Sequence, residues 1–235
     1  MLRISLILIL SFLASEAFTC SCIFPDSFCE SNSDVGGGLR SDLILIGKGF
    51  RNSEGKISIK VHNLLSGELN TDNVKIGWTG CEIAGTPIDD EEYLFALERC
   101  GNFYCHSSCA IGFLKIEGNE VVGKIAPDVD RMKLNELGEM MCGVAFEPFS
   151  EKVEIYPNPT ADIIKIKNTG DRFAFNGLQL RIFDSSGRLI HERKNTDPLL
   201  ADGNWEINLE DLPRGVYIVQ LYNRLQSTTK KIVKI

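Results

Sequence analysis

The first two thirds of the chain contain short stretches whose hydrophobic pattern is that of β-strands. Residues 56–61 alternate between polar and apolar side chains, as a strand with one buried face does. Residues 43–46 form a continuous apolar run, which is typical of a buried strand. Further strands are predicted at 74–78, 93–97 and 111–116. Short strands that must bury one shared interior predict a small closed barrel.

One short helix is predicted after these strands. Apolar residues recur there at helical intervals, and acidic residues stand in front of them. The methionines in this stripe are interpreted as core residues rather than as cofactor contacts. The pattern is carried by Val129, Met132, Leu137, Met140 and Met141, with Asp128 and Asp130 at the front.

The last third of the chain is predicted to be all strand, with clear turn signals. The Asp-Ser-Ser-Gly sequence at 184–187 predicts a hairpin, because Asp and Ser side chains bond locally and Gly accepts a positive φ. A second turn is predicted at 213–215. Strands at this close spacing predict an immunoglobulin-like β-sandwich. They are expected at 153–156, 163–167, 178–183, 189–192, 205–209, 216–222 and 231–235.

The N-terminus has the pattern of a secretory signal peptide. Arg3 gives a positive start, and residues 4–14 form an apolar run that is too short to span a bilayer. Small residues follow at Ser15 and Ala17. We predict a signal peptide over residues 1–17, with 1–19 as the alternative, and no transmembrane segment in the mature chain.

Export changes the interpretation of the eight cysteines, because disulfides form in oxidising compartments. The spacing of Cys100, Cys105, His106 and Cys109 fits no familiar zinc motif, so we predict disulfides and no metal or other cofactor. A catalytic Cys105–His106 pair is not expected, because neighbouring residues on a strand point to opposite faces.

The cysteines also predict a domain boundary. All eight lie at or before Cys142, and a proline with charges of both signs follows them. Residues 147–152 are therefore interpreted as a linker between domains at 20–146 and 153–235. The fold class expected from the whole pattern is all-β in two domains.

The charge of the chain excludes one class of partner. The net charge is −7, and the dense basic run is confined to Lys230, Lys231 and Lys234 at the C-terminus. Nucleic acid is not an expected partner, because phosphate binding needs a clustered basic face.

Three motifs follow one another in the last third of the chain. They are 155–160 (Ile-Tyr-Pro-Asn-Pro-Thr), 180–189 (Leu-Arg-Ile-Phe-Asp-Ser-Ser-Gly-Arg-Leu), and 212–219 (Leu-Pro-Arg-Gly-Val-Tyr-Ile-Val) with 230–234 (Lys-Lys-Ile-Val-Lys). In this order they resemble the type A C-terminal sorting domain of the type IX secretion system of Gram-negative bacteria.

This resemblance implies export to the outside of the cell. Its expected partners are the outer-membrane translocation machinery and a sortase-like peptidase that removes the domain. The implied location is extracellular, or the outer surface of the outer membrane, after passage through the periplasm. The recognition residues that the resemblance implies are Gly215, Tyr217, Lys231, Val233 and Lys234.

The region before the linker resembles, more distantly, the netrin-like domain that is shared with tissue inhibitors of metalloproteinases. The match is carried by a Cys-x-Cys opening at 20–22, Phe28-Cys29, the strand at 41–48, Gly80-Cys81, and 92–96, with cysteines in the same order. The resemblance implies an OB-fold barrel to which disulfides staple the N-terminal segment.

The netrin-like resemblance also implies a disulfide map. The implied pairs are Cys20–Cys81, Cys22–Cys109 and Cys29–Cys142, and Cys100 and Cys105 remain for a local bridge across a turn at 101–102. An alternative pairs Cys105 with Cys22, since the sequence does not determine connectivity.

Two functions are compatible with the region before the linker. The first is a non-enzymatic extracellular binding module, with Trp78, Tyr93, Phe103 and Tyr104 as candidate stacking residues on an open barrel face. The alternative is a metalloproteinase inhibitor, in which the free amine and carbonyl of Cys20 bind the protease zinc and Ser21 enters the specificity pocket. Inhibition requires cleavage after Thr19, so that Cys20 becomes the N-terminus. No catalytic residues are expected.

Overall fold

The computed structural model of the protein describes residues 26–32, 40–77, 85–106, 110–146, 149–170, 177–194 and 204–235. Within these ranges the chain is nearly all strand, as predicted. Its strands form separate sheets, and the buried residues divide in the same way except for Leu225, so we call residues 26–146 the first domain and residues 149–235 the second domain.

The first domain is built on one curved sheet. Its strand order is β3-β2-β1-β4-β6-β7-β8, each neighbouring pair is antiparallel, and β5 pairs with the end of β4. The five predicted strands are present, whereas β5, β7 and β8 were not predicted. The strands are β1 (Leu43–Arg51), β2 (Ile57–Ser66), β3 (Asn73–Lys75), β4 (Glu92–Cys100), β5 (Phe103–Cys105), β6 (Phe113–Glu117), β7 (Glu120–Ala126) and β8 (Val129–Lys133).

The sheet curves back on itself beside β5. A tight turn with Gly101 at φ 68° returns the chain from β4 to β5, where Tyr104 pairs with Arg99. On the opposite side of β5, Tyr104 forms a parallel bridge with Ile76, immediately after β3. The Gly77 amide donates to the Tyr104 carbonyl at 2.8 Å. The strand β3 at one edge is therefore joined to the middle of the sheet through β5.

The strand β1 is buried on both faces, as its continuous apolar run predicted. Successive side chains of β1 point to opposite faces of the sheet and enter two different cores. Leu45 belongs to one core and Ile46 to the other, and each is at most 1% exposed. The strand core consists of Leu43, Leu45, Ile59, Val61, Leu64, Val74, Tyr93, Phe95 and Leu97. The helix core consists of Phe28, Ile44, Ile46, Leu65, Leu94, Ala96, Leu114, Ile116, Val121, Ile125, Leu134, Leu137, Met141 and Leu225.

The prediction of a single helix from Val129 to Met141 was wrong at both ends, and Met140 and Met141 lie in a short strand that follows the helix. Val129 and Met132 lie in β8, opposite Ala126 and Val121 of β7. The helix α2 is shorter, Leu134–Glu139. Hairpin pairing with β7 satisfies the backbone of β8, and this tertiary pairing overrides the helical spacing of the side chains.

Three further short elements complete the first domain. The helix α1 (Phe28–Asn32), which was not predicted, buries Phe28 completely in the helix core. The strands β9 (Met140–Met141) and β10 (Val144–Ala145) form a small antiparallel pair after α2. Both helices therefore cover the same face of the curved sheet.

Two disulfides lie within the described residues. Cys29 of α1 is bonded to Cys142, which is 113 residues further along the chain. Cys100 is bonded to Cys105 across the β4–β5 turn. The netrin-like resemblance implied both pairs. Cys20, Cys22, Cys81 and Cys109 lie outside the described residues.

The second domain is a sandwich of two antiparallel sheets, as the sequence predicted. One sheet has the order β11-β12-β15 and the other β14-β13-β16-β17. A single core lies between them and includes Ile166, Ile182, Trp205 and Val219. The strands are β11 (Val153–Tyr156), β12 (Ile163–Asn168), β13 (Gln179–Asp184), β14 (Leu189–Lys194), β15 (Asn204–Asn208), β16 (Gly215–Tyr222) and β17 (Ser227–Lys234).

The predicted hairpin turn between β13 and β14 forms by the expected mechanism. The carboxylate of Asp184 accepts from the amides of Ser186 and Arg188 and from the Ser186 hydroxyl, and Gly187 has φ 83°. These hydrogen bonds lower the pKa of Asp184, with the one from the Ser186 hydroxyl contributing most. The side chain of this aspartate thus fixes the register of the hairpin.

The described part of the predicted linker packs onto the second domain. Phe149 is 3% exposed and belongs to the core of the sandwich. Lys152 is also buried, and its backbone amide donates to the Phe149 carbonyl at 3.1 Å. Residues 149–152 are therefore part of the fold of the second domain.

Candidate functional sites

The first and last motifs of the second domain meet along the outer edge of β17. The side-chain amide of Asn158 makes the hydrogen bonds that the backbone of a neighbouring strand would make. Its Nδ2 donates to the Lys231 carbonyl, and its Oδ1 accepts from the Val233 amide, both at 2.9 Å. Thr160 continues this pairing through its backbone, to Val233 and Ile235, at 2.9 Å each. The Pro-Asn-Pro motif therefore covers the edge that the last strand would otherwise expose.

The five residues implied in recognition lie on two paired strands. Gly215 of β16 stands opposite Lys234 of β17, and two residues on, Tyr217 stands close to Lys231 and Val233. The structure therefore brings all five together at one end of one sheet.

Two of these five side chains have structural contacts. Tyr217 is 5% exposed, and its hydroxyl donates to the Pro213 carbonyl at 2.6 Å. Lys234 is 7% exposed, and its ammonium donates to the carbonyls of Leu209 and Glu210 at 2.6 and 2.9 Å. These side chains hold the end of the sheet together and present little surface to a partner.

Lys231 is the accessible member of the set. Its side chain is exposed and lines a groove of about 380 Å³ together with Tyr156 and Asn158. Val233 is partly exposed. A side chain added at Gly215 would meet only Tyr217, at 3.9 Å, so neither crowding nor backbone conformation requires glycine there. The sequence located this end of the sheet but missed the role of Asn158, whose side chain joins two of the motifs.

A second candidate site is a cleft of about 330 Å³ in the first domain, beside β5. Phe103 is 38% exposed, and its ring lies so close to Gly77 that a Cβ there would come within 2.1 Å of ring carbons. The guanidinium of Arg99 lies 5.8 Å from the centre of the Tyr104 ring. Lys75 also lines the cleft. The site therefore combines aromatic surface with two cations, a combination suited to stacking and polar recognition.

The other predicted site residues of the first domain are distributed differently. Tyr93 is 9% exposed and packs edge-on against Phe113, so it is a core residue. Burial and the hydrogen bond to Asp89 raise the pKa of Tyr93 to about 12. Trp78, Cys20 and Ser21 lie outside the described residues.

Cys105 and His106 have separate structural contacts. Cys105 is bonded to Cys100, and the neighbouring His106 is buried, with its Nε2 sharing a hydrogen bond with Thr86 at 2.9 Å. Among the residues placed by the structure there is no group of three or more metal-ligating side chains. No helix within the described ranges is long and apolar enough to cross a membrane.

The two domains contact each other through the turn between β16 and β17. Arg224 donates to the Glu92 carboxylate at 2.6 Å and to the Gly118 carbonyl at 2.9 Å. Leu225 is 5% exposed and belongs to the helix core of the first domain. The contact borders a cleft of about 430 Å³ that is also lined by His62 and Gln179. Sequence analysis gave no indication of this contact.

Comparison with known proteins gives the class of the second domain. Residues 154–235 match the family model of the secretion system C-terminal sorting domain. The match covers the segment in which the three motifs predicted such a domain.

Comparison with solved structures gave further matches. One is a DUF3244 family protein from Bacteroides vulgatus with an immunoglobulin-like β-sandwich; it is 17% identical, the match covers 36% of this chain and 85% of that one, and the TM-score is 0.29. Another is PorZ, a surface component of the type IX secretion system of Porphyromonas gingivalis. It is 12% identical, the match covers 88% of this chain and 32% of that one, and the TM-score is 0.29. No curated protein matches this chain.

Proposed function

We propose that this chain is a non-enzymatic binding protein that the type IX secretion system exports to the cell surface or the medium. In this proposal the second domain is the sorting signal and the first domain is the cargo. The observation that carries the proposal is the family match over residues 154–235. The meeting of the first and last motifs along the edge of β17 supports it, because residues that are far apart in the sequence then lie together in the fold.

Export is tested in a bacterium that has this secretion system, with a point variant of one of the five recognition residues. We expect Lys231→Ala to leave the folded protein in the periplasm, because Lys231 belongs to the implied recognition set and its side chain is exposed in the groove. Lys167→Ala is the matched control, since Lys167 is an exposed lysine on β12, in the other sheet. Immunoblots of periplasm, outer membrane and medium give the distribution. Equal export of both variants would show that the sorting machinery does not need the Lys231 side chain.

Binding by the first domain is supported by its topology and by the cleft beside β5. The strand order and the parallel bridge from Ile76 to Tyr104 are compatible with an OB-type barrel, and such barrels bind ligands on an open face. Phe103 and Tyr104 provide ring surface, and Arg99 provides hydrogen-bond donors. The ligand class that fits best is a surface saccharide with both ring faces and polar or acidic groups.

Saccharide binding is tested on the purified full chain with an array of bacterial and host glycans. We expect Phe103→Ser to abolish binding, because the stacking surface is lost. Ile88→Ser is the control, since Ile88 is an exposed apolar residue that does not line the cleft. A glycan that binds both variants with unchanged affinity would place the site elsewhere.

A further inference from the structure

The turn between β16 and β17 is held in one conformation before it reaches the first domain. The Asn223 amide donates to the Gln226 carbonyl at 2.9 Å, which closes the turn. The Asn223 side chain accepts from the amides of Leu225 and Gln226, both at 2.8 Å. Arg224 and Leu225 occupy the two central positions. Because the turn is pre-organised, little ordering entropy is lost when these two side chains bind.

Arg224 binds a prepared acceptor on the first domain. Its two terminal nitrogens reach Glu92, at the start of β4, and the carbonyl of Gly118, in the β6–β7 turn. The other oxygen of Glu92 accepts from His62 Nδ1 at 2.7 Å. The Glu92 side chain is only 15% exposed. A carboxylate with so little access to water is a strong acceptor for a guanidinium.

Leu225 enters an apolar pocket beside this acceptor. It is 5% exposed and belongs to the helix core, whose other members all come from the first domain. When the turn leaves, Glu92 keeps its contact with His62 but loses the Arg224 donor, the Gly118 carbonyl also loses this donor, and the pocket of Leu225 opens to water. The vacant surface therefore retains affinity for the same pair of side chains.

We propose that the first domain contains a binding site for a protein turn that presents an arginine beside an aliphatic residue, and that the second domain of this chain blocks the site. We call the site, made of Glu92, Gly118 and the pocket of Leu225, the Arg-Leu socket. Removal of the second domain opens the socket to a partner outside the cell. The opening step rests on the proposed removal of the sorting domain, whereas the socket itself does not.

The socket is tested on the purified full chain with a fluorescent cyclic peptide that contains residues 222–227, Tyr-Asn-Arg-Leu-Gln-Ser. The double variant Arg224→Ala/Leu225→Ala removes the two side chains that fill the socket and leaves the amino-acid sequence of the first domain unchanged. We expect the peptide to bind this variant at least ~10-fold more tightly than the wild type, because the tethered turn competes at an effective concentration of the order of mM. Fluorescence anisotropy gives both affinities.

Further variants separate the socket from non-specific binding. Adding Glu92→Gln to the open variant is expected to abolish peptide binding, because the acceptor charge is lost. The control Arg214→Ala/Leu189→Ala changes an exposed arginine and an exposed leucine elsewhere on the second domain, and it should behave as the wild type. A peptide with Ala-Ala in place of Arg-Leu should bind none of the proteins.

Two results would overturn the proposal. One is equal affinity of the peptide for the wild type and the open variant, and the other is failure to bind the open variant while circular dichroism shows a folded protein. If the double variant does not fold, Arg224→Ala alone replaces it, since the Arg224 side chain is 46% exposed and the apolar contact is then kept. Failure in this assay would leave export intact, because the assay uses purified protein.

Discussion

The two domains bury their hydrophobic residues in different ways. The second domain has one core, between two sheets, and its sequence contains no cysteine. The first domain has a core on each face of one curved sheet, and both disulfides within the described residues belong to it. A sandwich covers its apolar surfaces with its own strands. A sheet with two apolar faces needs additional cover.

The cover on the helix core comes from distant parts of the chain. This cover includes the helices α1 and α2 and Leu225 of the second domain. The disulfide between Cys29 and Cys142 holds α1 in place. The second domain therefore holds itself together without covalent help. The first domain depends on oxidation and, at one point, on its neighbour.

The largest expected effect is on the disulfide that ties α1 to the end of the first domain. The double variant Cys29→Ser/Cys142→Ser should lower the free energy of unfolding of the first domain by about 2–5 kcal/mol, because the bridge closes a long loop of the unfolded chain. The second domain should change much less. Urea unfolding followed by Trp205 fluorescence in a Trp78→Phe background reports on the second domain, and circular dichroism reports on both.

The short disulfide provides the control for this experiment. Cys100→Ser/Cys105→Ser removes a bridge between residues only 5 apart, so its loss should cost less. Equal destabilisation of both domains by the first double variant would contradict the contrast between them.

A smaller effect is expected at the buried end of the last strand. Lys234→Met keeps the aliphatic stem but removes the donors to the carbonyls of Leu209 and Glu210. The second domain should lose about 1–3 kcal/mol, the range for charge-assisted hydrogen bonds and unsatisfied acceptors. The exposed Lys231→Met should change stability by no more than about 0.5 kcal/mol. The same urea titration measures both, and equal losses would show that Lys234 is not a structural residue.

The contact between the domains should depend on pH. Burial alone would raise the pKa of Glu92, but the hydrogen bonds from His62 and Arg224 outweigh it and hold the pKa below its usual value of 4.5. A lowered pKa means that the folded protein favours the ionised form, so the stabilisation is complete above pH 4.5 and is lost as the pH falls through the folded-state pKa. The difference in melting temperature between wild type and Glu92→Gln should therefore vanish in acid. A difference that grows on acidification would have the wrong sign.

The smallest effect on stability is expected at Gly215. Gly215→Ala should change the free energy of unfolding by no more than about 0.5 kcal/mol, since the added carbon contacts only Tyr217 at 3.9 Å. Thermal unfolding and export are measured on the same variant. Loss of export at unchanged stability would assign Gly215 to recognition, whereas a large loss of stability would show that this glycine is structural.

The strands of the second domain were easier to predict than those of the first, because their side chains alternate between a buried and an exposed face. Its strands have one buried and one exposed face, so the period of two and the turn residues at 184–187 gave all seven strands. In the first domain the strand β8 carries apolar residues at helical spacing, and only its pairing with β7 makes it a strand. Such tertiary pairing leaves no local signal.

The contacts at the sites were predictable to different degrees. The motifs located the recognition end of the sheet, but the use of the Asn158 side chain in place of a strand follows from the folded geometry. Arg224 and Leu225 look like ordinary turn residues in the sequence. A single leucine in a polar turn gives no signal, because isolated apolar residues are common on protein surfaces.

The central claim is that the second domain directs the first across the outer membrane through the type IX secretion system. Its most direct test is the location of the wild-type chain in a secretion-competent strain and in the same strain without the type IX translocation machinery. The account predicts that the protein is at the surface or in the medium of the first strain and accumulates in the periplasm of the second. An identical distribution in both strains would contradict it.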